Sequence, residues 1–515
     1  MTWVTCRDPR QRATIAVVAL LALFAALAGC RREVAVPPLD PAIAQITPGA
    51  SESAPVTGMG GANPAPAGRG TAGSIPPTPT RVPPDDTASE YTVRPGDTLL
   101  RIAVAYGTTT ESLIALNGLT NPDQLVVGQT LMVSTASEYT GPESFLVPDS
   151  EVVYGPGYAD FDVSAEVQGH PGLLAQYAEV VNGREMSGAE IIQLASQQYS
   201  VGPRVLLALL ELRGGWLSNP APGPAQQTYP LGYNRATYWN GLYMQLCQAA
   251  NALNTGFYGW YLDDLWLIQT QDTSFIQYAP GLNAGTAAVQ KVLADTAPDY
   301  ESFLSDVERF ASVYRELFGD PGDYAVEPLL SAREQAPELT LPWASGETWY
   351  YTGGPHVGWG TLGALSAVDF VSDERNIGCA ISQRWVTAAA DGLIIASAGG
   401  MVLQDLDGDG IAGTGWVVLY MHIAGDGRVA VGEEVKVGDP IGHPSCEGGV
   451  SDASHLHLAR RVNGVWIAAD DPNWPMSLSG WVPIAGTEQY EGTLEKAGET
   501  LTACECWEPI NGVTH

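Results

Sequence analysis

Residues 454–462 read Ser-His-Leu-His-Leu-Ala-Arg-Arg-Val. Apolar and polar side chains alternate at the start of this stretch, the pattern of a half-buried β-strand. Side chains two apart on a strand share a face. His455 and His457 therefore project together, while Leu456 and Leu458 pack behind them. Two imidazoles on one strand face can converge on a single point, as metal ligation or proton transfer requires.

The surroundings extend this pattern. From about Leu341 to Ile484, short runs of alternating residues lie between glycines, which predicts an antiparallel β domain. Five of the seven histidines fall there. The run GWVVLYMHIA at 415–424 reads as a strand with Trp416, Val418, Tyr420 and His422 on one face. In GGPHVGWGTLGALSAVDFV at 353–371, His356 precedes Asp369 by thirteen positions. The glycine-rich run from Gly358 to Gly363 between them is suited to a loop that returns the carboxylate to the histidine.

Tyr420-Met421-His422, Val368-Asp369-Phe370 and the His-x-His pair resemble the lysostaphin/LytM-type zinc metallopeptidases, over roughly Trp349–Trp466. In most of that family the first histidine and the aspartate are closer, as H-x-x-x-D. The resemblance implies zinc held by His356, Asp369 and His457, with His422 and His455 in catalysis. Two imidazoles and a carboxylate suit a catalytic zinc site with the fourth position left for water. The implied reaction is hydrolysis of peptide cross-links in peptidoglycan by a zinc-bound water, with one free histidine as general base and the other on the oxyanion. The sequence leaves those two roles exchangeable. A second reading is non-catalytic. LytM-type domains with LysM modules also occur in regulators that activate cell-wall amidases at division, usually after losing zinc ligands. A third is a wall-binding scaffold.

Asp405-Leu406-Asp407-Gly408-Asp409-Gly410 resembles the start of a calcium loop. The bidentate glutamate of an EF-hand would fall at 416, which is Trp. The other reading is a hairpin turn set by Asp-Gly.

Tyr91–Ser134 has the order βααβ. It runs from a short strand at Tyr91–Val93 through helical spacing of Leu99, Ile102, Ala103 and Tyr106 to a second helix over Glu111–Asn117 and a closing strand at Thr130–Val133. This stretch resembles a LysM module along its whole length. That resemblance implies binding to N-acetylglucosamine-containing glycan by two loops, Gly96, Asp97, Thr98 and Leu99 in one, and Asn121, Pro122, Asp123 and Leu125 in the other.

The stretch 143–332 reads as mostly helical. Ser187 is a cap for a helix carrying Ile191, Ile192, Leu194 and Ala195, followed by helices near Val205–Leu212, Trp239–Leu253, Thr286–Thr296 and Tyr300–Phe318. Tyr258, Trp260, Tyr261 and Trp266 are candidates for a cleft lining or for core. The opening resembles the entry to the lysozyme-like transglycosylase fold, but Arg213 stands at the position of the catalytic glutamate. Arginine does not release its proton, so a non-catalytic helical domain is expected, with Glu211 the nearest carboxylate.

Arg7, Arg10 and Arg12 precede an apolar run, Ala13–Ala26, and then Leu27-Ala28-Gly29-Cys30. The run is short for a spanning helix. It resembles a lipoprotein signal over residues 1–30, which implies lipid on Cys30 and a chain outside the cytoplasm. An uncleaved helical anchor gives the same location. Residues 31–89, rich in Pro, Ala and Gly, read as a tether. The expected order is then the LysM module at 90–135, the helical domain at 143–332, the peptidase domain at 340–485 and a tail at 486–515.

With 24 basic and 57 acidic residues the formal charge is −33. Such a chain repels nucleic acid and is not held on anionic lipid by charge alone. Export permits disulfides, for which Cys379 and Cys446 are candidates. Cys504 and Cys506 read as a redox pair, a metal site, incidental tail cysteines or partners in a bridge elsewhere.

Overall fold

A computed structural model describes residues 89–93, 99, 102–103, 106, 110–119, 125–126, 128–133, 139–262, 267–331, 335–361, 363–375 and 378–515. Cys30 and the tether lie outside the described residues, as do Gly96, Asp97, Thr98, Asn121, Pro122, Asp123 and Trp266. Among the described residues, no helix is long and apolar enough to cross a membrane.

In the first unit, strand β1 (Ser89–Thr92) pairs antiparallel with β2 (Thr130–Val133), Tyr91 opposite Leu131. Helix α1 (Thr110–Asn117) lies between them in sequence. Asn117 ties the helix to β2, since its amide donates to the Met132 carbonyl and accepts from the Met132 N–H. Val93, Leu99, Ile102, Ala103, Leu113, Leu131 and Val133 form a small core. Leu99, expected at the glycan groove, is a core residue and is not available to a ligand. Leu125 is partly buried against the same core.

The helical part is built on α2 (Gly188–Tyr199), α3 (Pro203–Gly214), α4 (Leu242–Tyr261), α5 (Ala284–Thr296) and α6 (Tyr300–Phe318). Ser187 and Glu190 close a capping box at the start of α2, satisfying N–H groups that the helix itself cannot. Helix α3 enters on Pro203 and leaves on Gly215 in the left-handed conformation. Apolar side chains on nearly every face of α3 are buried, so it forms the centre of this part. Tyr258 and Trp260, offered by the sequence as cleft lining, are buried; the Trp260 indole donates to the Leu282 carbonyl.

The strands that build the site are β3 (Thr348–His356), β4 (Ala367–Val371), β5 (Gly392–Ala398), β6 (Met401–Asp405), β7 (Trp416–Met421), β8 (Glu434–Val435), β9 (Leu456–Val462) and β10 (Val465–Trp466). They continue with β11 (Val482–Ala485), β12 (Gly492–Lys496), β13 (Glu499–Thr502) and β14 (Gly512–Thr514). One antiparallel sheet runs in the order β8-β5-β6-β7-β9-β4-β3-β14, with β10 folded back on β9. Residues 486–515 are therefore not a separate tail. They supply β12 and β13, which form a small sheet with β11, and β14, which pairs with β3 at the edge of the main sheet. Buried Leu494, Leu501 and Val513 account for this, since apolar side chains so placed stabilise a packed sheet rather than a free end.

The two faces of the sheet differ. Val368, Phe370, Val418, Tyr420, Leu456 and Leu458 pack into one core. Ala367, Val417, Leu419, Met421 and Ala459 point the other way and join the core of the helical part. The helices therefore cover part of the face that carries His457. Arg461 of β9 donates to the Gln197 carbonyl, Ser200 donates to the Gly464 carbonyl, and the Trp466 N–H donates to the Tyr258 hydroxyl.

Candidate metal centre

Register brings the donors together. β4 lies between β3 and β9, with Asp369 opposite His457 on one side and Gly353 on the other. A side chain at 353 would place its Cβ 2.7 Å from Asp369 Oδ2, so only glycine leaves room for the carboxylate. His356 closes β3 and reaches the same point despite the thirteen-residue separation, because β3 and β4 are antiparallel neighbours and the intervening residues loop out.

His356, Asp369 and His457 form a buried cluster with the spacing of a metal site. Asp369 Oδ1 is 3.3 Å from His356 Nε2 and 3.2 Å from His457 Nδ1, and those two nitrogens are 2.9 Å apart. The other nitrogen of each ring faces a carbonyl: His356 Nδ1 is 2.8 Å from Gly354 O, and His457 Nε2 is 3.0 Å from Gly358 O. Carbonyls only accept, so those nitrogens carry the protons and the inner two present lone pairs. Asp369 Oδ1, itself buried, has no hydrogen-bond partner. Two lone pairs and an unpartnered carboxylate oxygen facing one another are poorly matched unless a cation lies among them. The donor set fits zinc with an open position.

Burial would raise the Asp369 carboxyl, but whenever the rings carry the extra proton, attraction to His356 and His455 and hydrogen bonding from His356 and His457 outweigh this and hold it well below the usual carboxylate range. Burial lowers His457 below the usual imidazole value, and lowers His422 well below it, with repulsion from His455 and His457 adding to the effect on His422.

His455 and His422 stand beside this cluster. Their ring centroids are 4.4 Å apart, and His455 Nε2 is 3.8 Å from Asp369 Oδ1. His455 Nδ1 donates to Ala453 O at 2.9 Å, and His422 Nδ1 to Glu447 O at 3.1 Å, so both offer Nε2 to the site. Strand alternation put His422 on the face of Val418 and Tyr420, and the structure corrects this. β7 ends at Met421, and His422 takes a left-handed φ of 65°, which carries its ring round to the face of His457. A non-glycine residue held there is strained, and such strain is found at functional sites.

Tyr490 was not legible from sequence. It lies in the loop between β11 and β12, stacks on His356 at 4.2 Å and is 55% exposed. Burial of its hydroxyl and the nearby Asp369 push its pKa up to about 12. His443 sits apart, packed at a tilt against Trp385 with centroids 3.9 Å apart. Cys379 and Cys446 are bonded, with Cα atoms 5.2 Å apart, and close a loop beside His455; Cys504 is bonded to Cys506.

Asp405, Asp407 and Asp409 do come together, but the loop itself uses their oxygens. Asp405 accepts from the N–H groups of Asp407 and Gly410, and Asp409 accepts from the Ile411 N–H and the Thr414 hydroxyl. This is a self-satisfied turn, and calcium is left without support. In the helical part, Arg213 is paired with Asp306, and Glu211 accepts from the N–H groups of Leu217 and Ser218. Both side chains are occupied in holding the fold.

Residues 145–331 match the family model described as "LasA, N-terminal domain", and residues 91–134 match "LysM domain". The chain is similar to protease LasA of Pseudomonas aeruginosa, with 26% identity over 373 residues, covering 68% of this chain and 80% of that one. The cortical fragment-lytic enzyme of Bacillus subtilis is 47% identical over 49 residues, covering 10% of this chain and 11% of that enzyme. Among solved structures, the deep-sea metalloprotease pseudoalterin is 22% identical and has a TM-score of 0.28, covering 34% of this chain and 98% of its own. The catalytic domain of lysostaphin from Staphylococcus simulans is 31% identical and has a TM-score of 0.16, covering 23% and 81%. The chain is a metalloendopeptidase carrying a LysM module. Within that class it is similar to protease LasA over 68% of its length.

Proposed function

We propose that the chain is a zinc endopeptidase of the cell wall that hydrolyses peptide cross-links in peptidoglycan. The observation that carries this reading is the unpartnered Asp369 Oδ1 facing two imidazole lone pairs, with two further imidazoles alongside. His356 Nε2, Asp369 Oδ1 and His457 Nδ1 would hold the ion. Zinc there supplies Lewis acidity, which polarises the scissile carbonyl and acidifies water. His455, with Nδ1 committed to Ala453 O, takes a proton from the attacking water on Nε2 and returns it to the leaving amine. His422, its Nδ1 held by Glu447 O, lies beside His455, and the two imidazoles share the proton-transfer and oxyanion-stabilising roles. Tyr490 stacks on the outer face of His356 and limits its movement.

The LysM module would hold the enzyme on N-acetylglucosamine-containing glycan and raise the local concentration of cross-links. Lipid on Cys30 would keep it at the outer surface of its own membrane, facing the wall. Amidase regulators of this type usually lack zinc ligands, whereas this chain keeps all three candidates, which favours catalysis. The test is release of soluble peptides from purified peptidoglycan by the full chain. Release should stop with a chelator, return with zinc, and be absent in His457→Ala. Release that continues in chelator would overturn the proposal.

A further inference from the structure

We infer that the helical part is a positioning element for the metal site, acting through Asn251 of α4 on the loop that carries the Gly358 carbonyl. The inference rests on the zinc reading above. His457 Nε2 donates to Gly358 O at 3.0 Å, and this bond fixes which nitrogen faces the ion. Gly358 opens the glycine-rich run between His356 and Asp369, and such a run does not hold one conformation by itself.

The contacts that hold it come from both sides. Towards the sheet, a Cβ at 358 would lie 2.2 Å from Ser366 Oγ and 2.9 Å from the Trp466 ring, so the backbone is pressed against both. Towards the helices, Asn251 Oδ1 accepts from the Thr361 N–H at 2.8 Å, and Asn251 Nδ2 donates to Thr361 Oγ1 at 2.8 Å. The Trp359 ring meets the edge of Tyr199, with centroids 6.2 Å apart, and the Trp466 indole donates to the Tyr199 carbonyl. The long separation of His356 from Asp369 thus has a physical use. It gives His457 its outer hydrogen-bond partner and gives α2 and α4 a hold on that partner. Asn251 and Tyr199 are neither among the three proposed donors nor among the two further imidazoles; they are positioning residues.

The experiment is zinc affinity of the full chain, measured by chelator competition for the parent, Asn251→Ala and Asn251→Asp, with the melting temperature of each zinc-free protein. Asn251→Ala removes both bonds to Thr361 and should weaken zinc about tenfold, the lower end of the range for outer-shell partners. Asn251→Asp keeps the acceptor for the Thr361 N–H and should recover most of the affinity. Cobalt-substituted Asn251→Ala should show altered visible bands, because the imidazole of His457 is less fixed. A purely structural role would lower the melting temperature of Asn251→Ala and leave its zinc affinity within about twofold of the parent, which overturns the inference. If Asn251→Ala does not fold, Thr361→Val, which loses the hydroxyl alone, takes its place with the same expected direction. A parent chain that binds no zinc sinks the zinc reading itself, which separates the two failures.

Discussion

Asp369→Asn keeps the shape of the cluster and removes its charge. The three proposed donors meet at 2.9–3.3 Å, and Asp369 Oδ1 has no hydrogen-bond partner. Zinc binding worth about 10–16 kcal/mol in four-ligand sites implies roughly 3–4 kcal/mol per ligand, so losing the carboxylate should weaken zinc on the order of 10²–10³-fold. The zinc-free protein should respond in the opposite sense. At pH 8, above the ordinary imidazole range, the buried carboxylate faces lone pairs and not cations, so its replacement by a neutral amide should leave the melting temperature unchanged or raise it. With free zinc at about a thousandfold its parent dissociation constant, the parent should gain about 4 kcal/mol of stability and the variant less than about 1.5 kcal/mol. Thermal unfolding with and without zinc, together with chelator competition, reads both quantities. A variant that binds zinc as tightly as the parent would refute the reasoning. So would a zinc-free variant that has lost several kcal/mol, since Asp369 would then be structural.

Three further outcomes follow from the geometry. His455→Ala and His422→Ala should each bind about one zinc per chain and lose about 10²–10⁴-fold in turnover, measured by peptide release; loss of zinc in either would move that histidine into the ligand set. The depressed pKa values of His457 and His422 mean that the unfolded chain takes up protons there more readily than the folded one. Stability of the zinc-free protein should therefore be fully present above about pH 6.5 and fall as pH drops through that value, and a melting temperature flat from pH 8 to pH 5 would contradict this. Cys379 and Cys446 are separated by 67 residues, so replacing both by alanine removes a cross-link worth about 4 kcal/mol, measurable by denaturant titration; a loss below about 1 kcal/mol would show that the loop is held by other contacts.

Much of the proposed site could be read from residue order because its pieces lie on strands, where period two dictates which side chains meet. His455 and His457 share a face as alternation requires, and Asp369 sits directly opposite His457. Alternation failed at His422, because it stands just past the end of β7 with a left-handed backbone, where no period applies. Tyr490 and the Gly358 carbonyl were invisible for a different reason. They approach His356 and His457 from 134 and 99 residues away, and one of them is backbone. The last thirty residues misled in the same way, since β14 is too short to register as a strand until β3 pairs with it. The helices were legible where apolar spacing was long, as at Tyr300–Phe318, but nothing in their pattern showed that α2 and α4 would pack on the sheet face that carries His457.

The central claim is that one ion sits among three named atoms. X-ray data from crystals of the zinc-loaded full chain, collected on either side of the zinc absorption edge, test it most directly. A single anomalous peak is expected about 2.0–2.2 Å from His356 Nε2, Asp369 Oδ1 and His457 Nδ1, with His455 and His422 outside the coordination sphere. A peak elsewhere, or none in protein supplied with zinc, would contradict it.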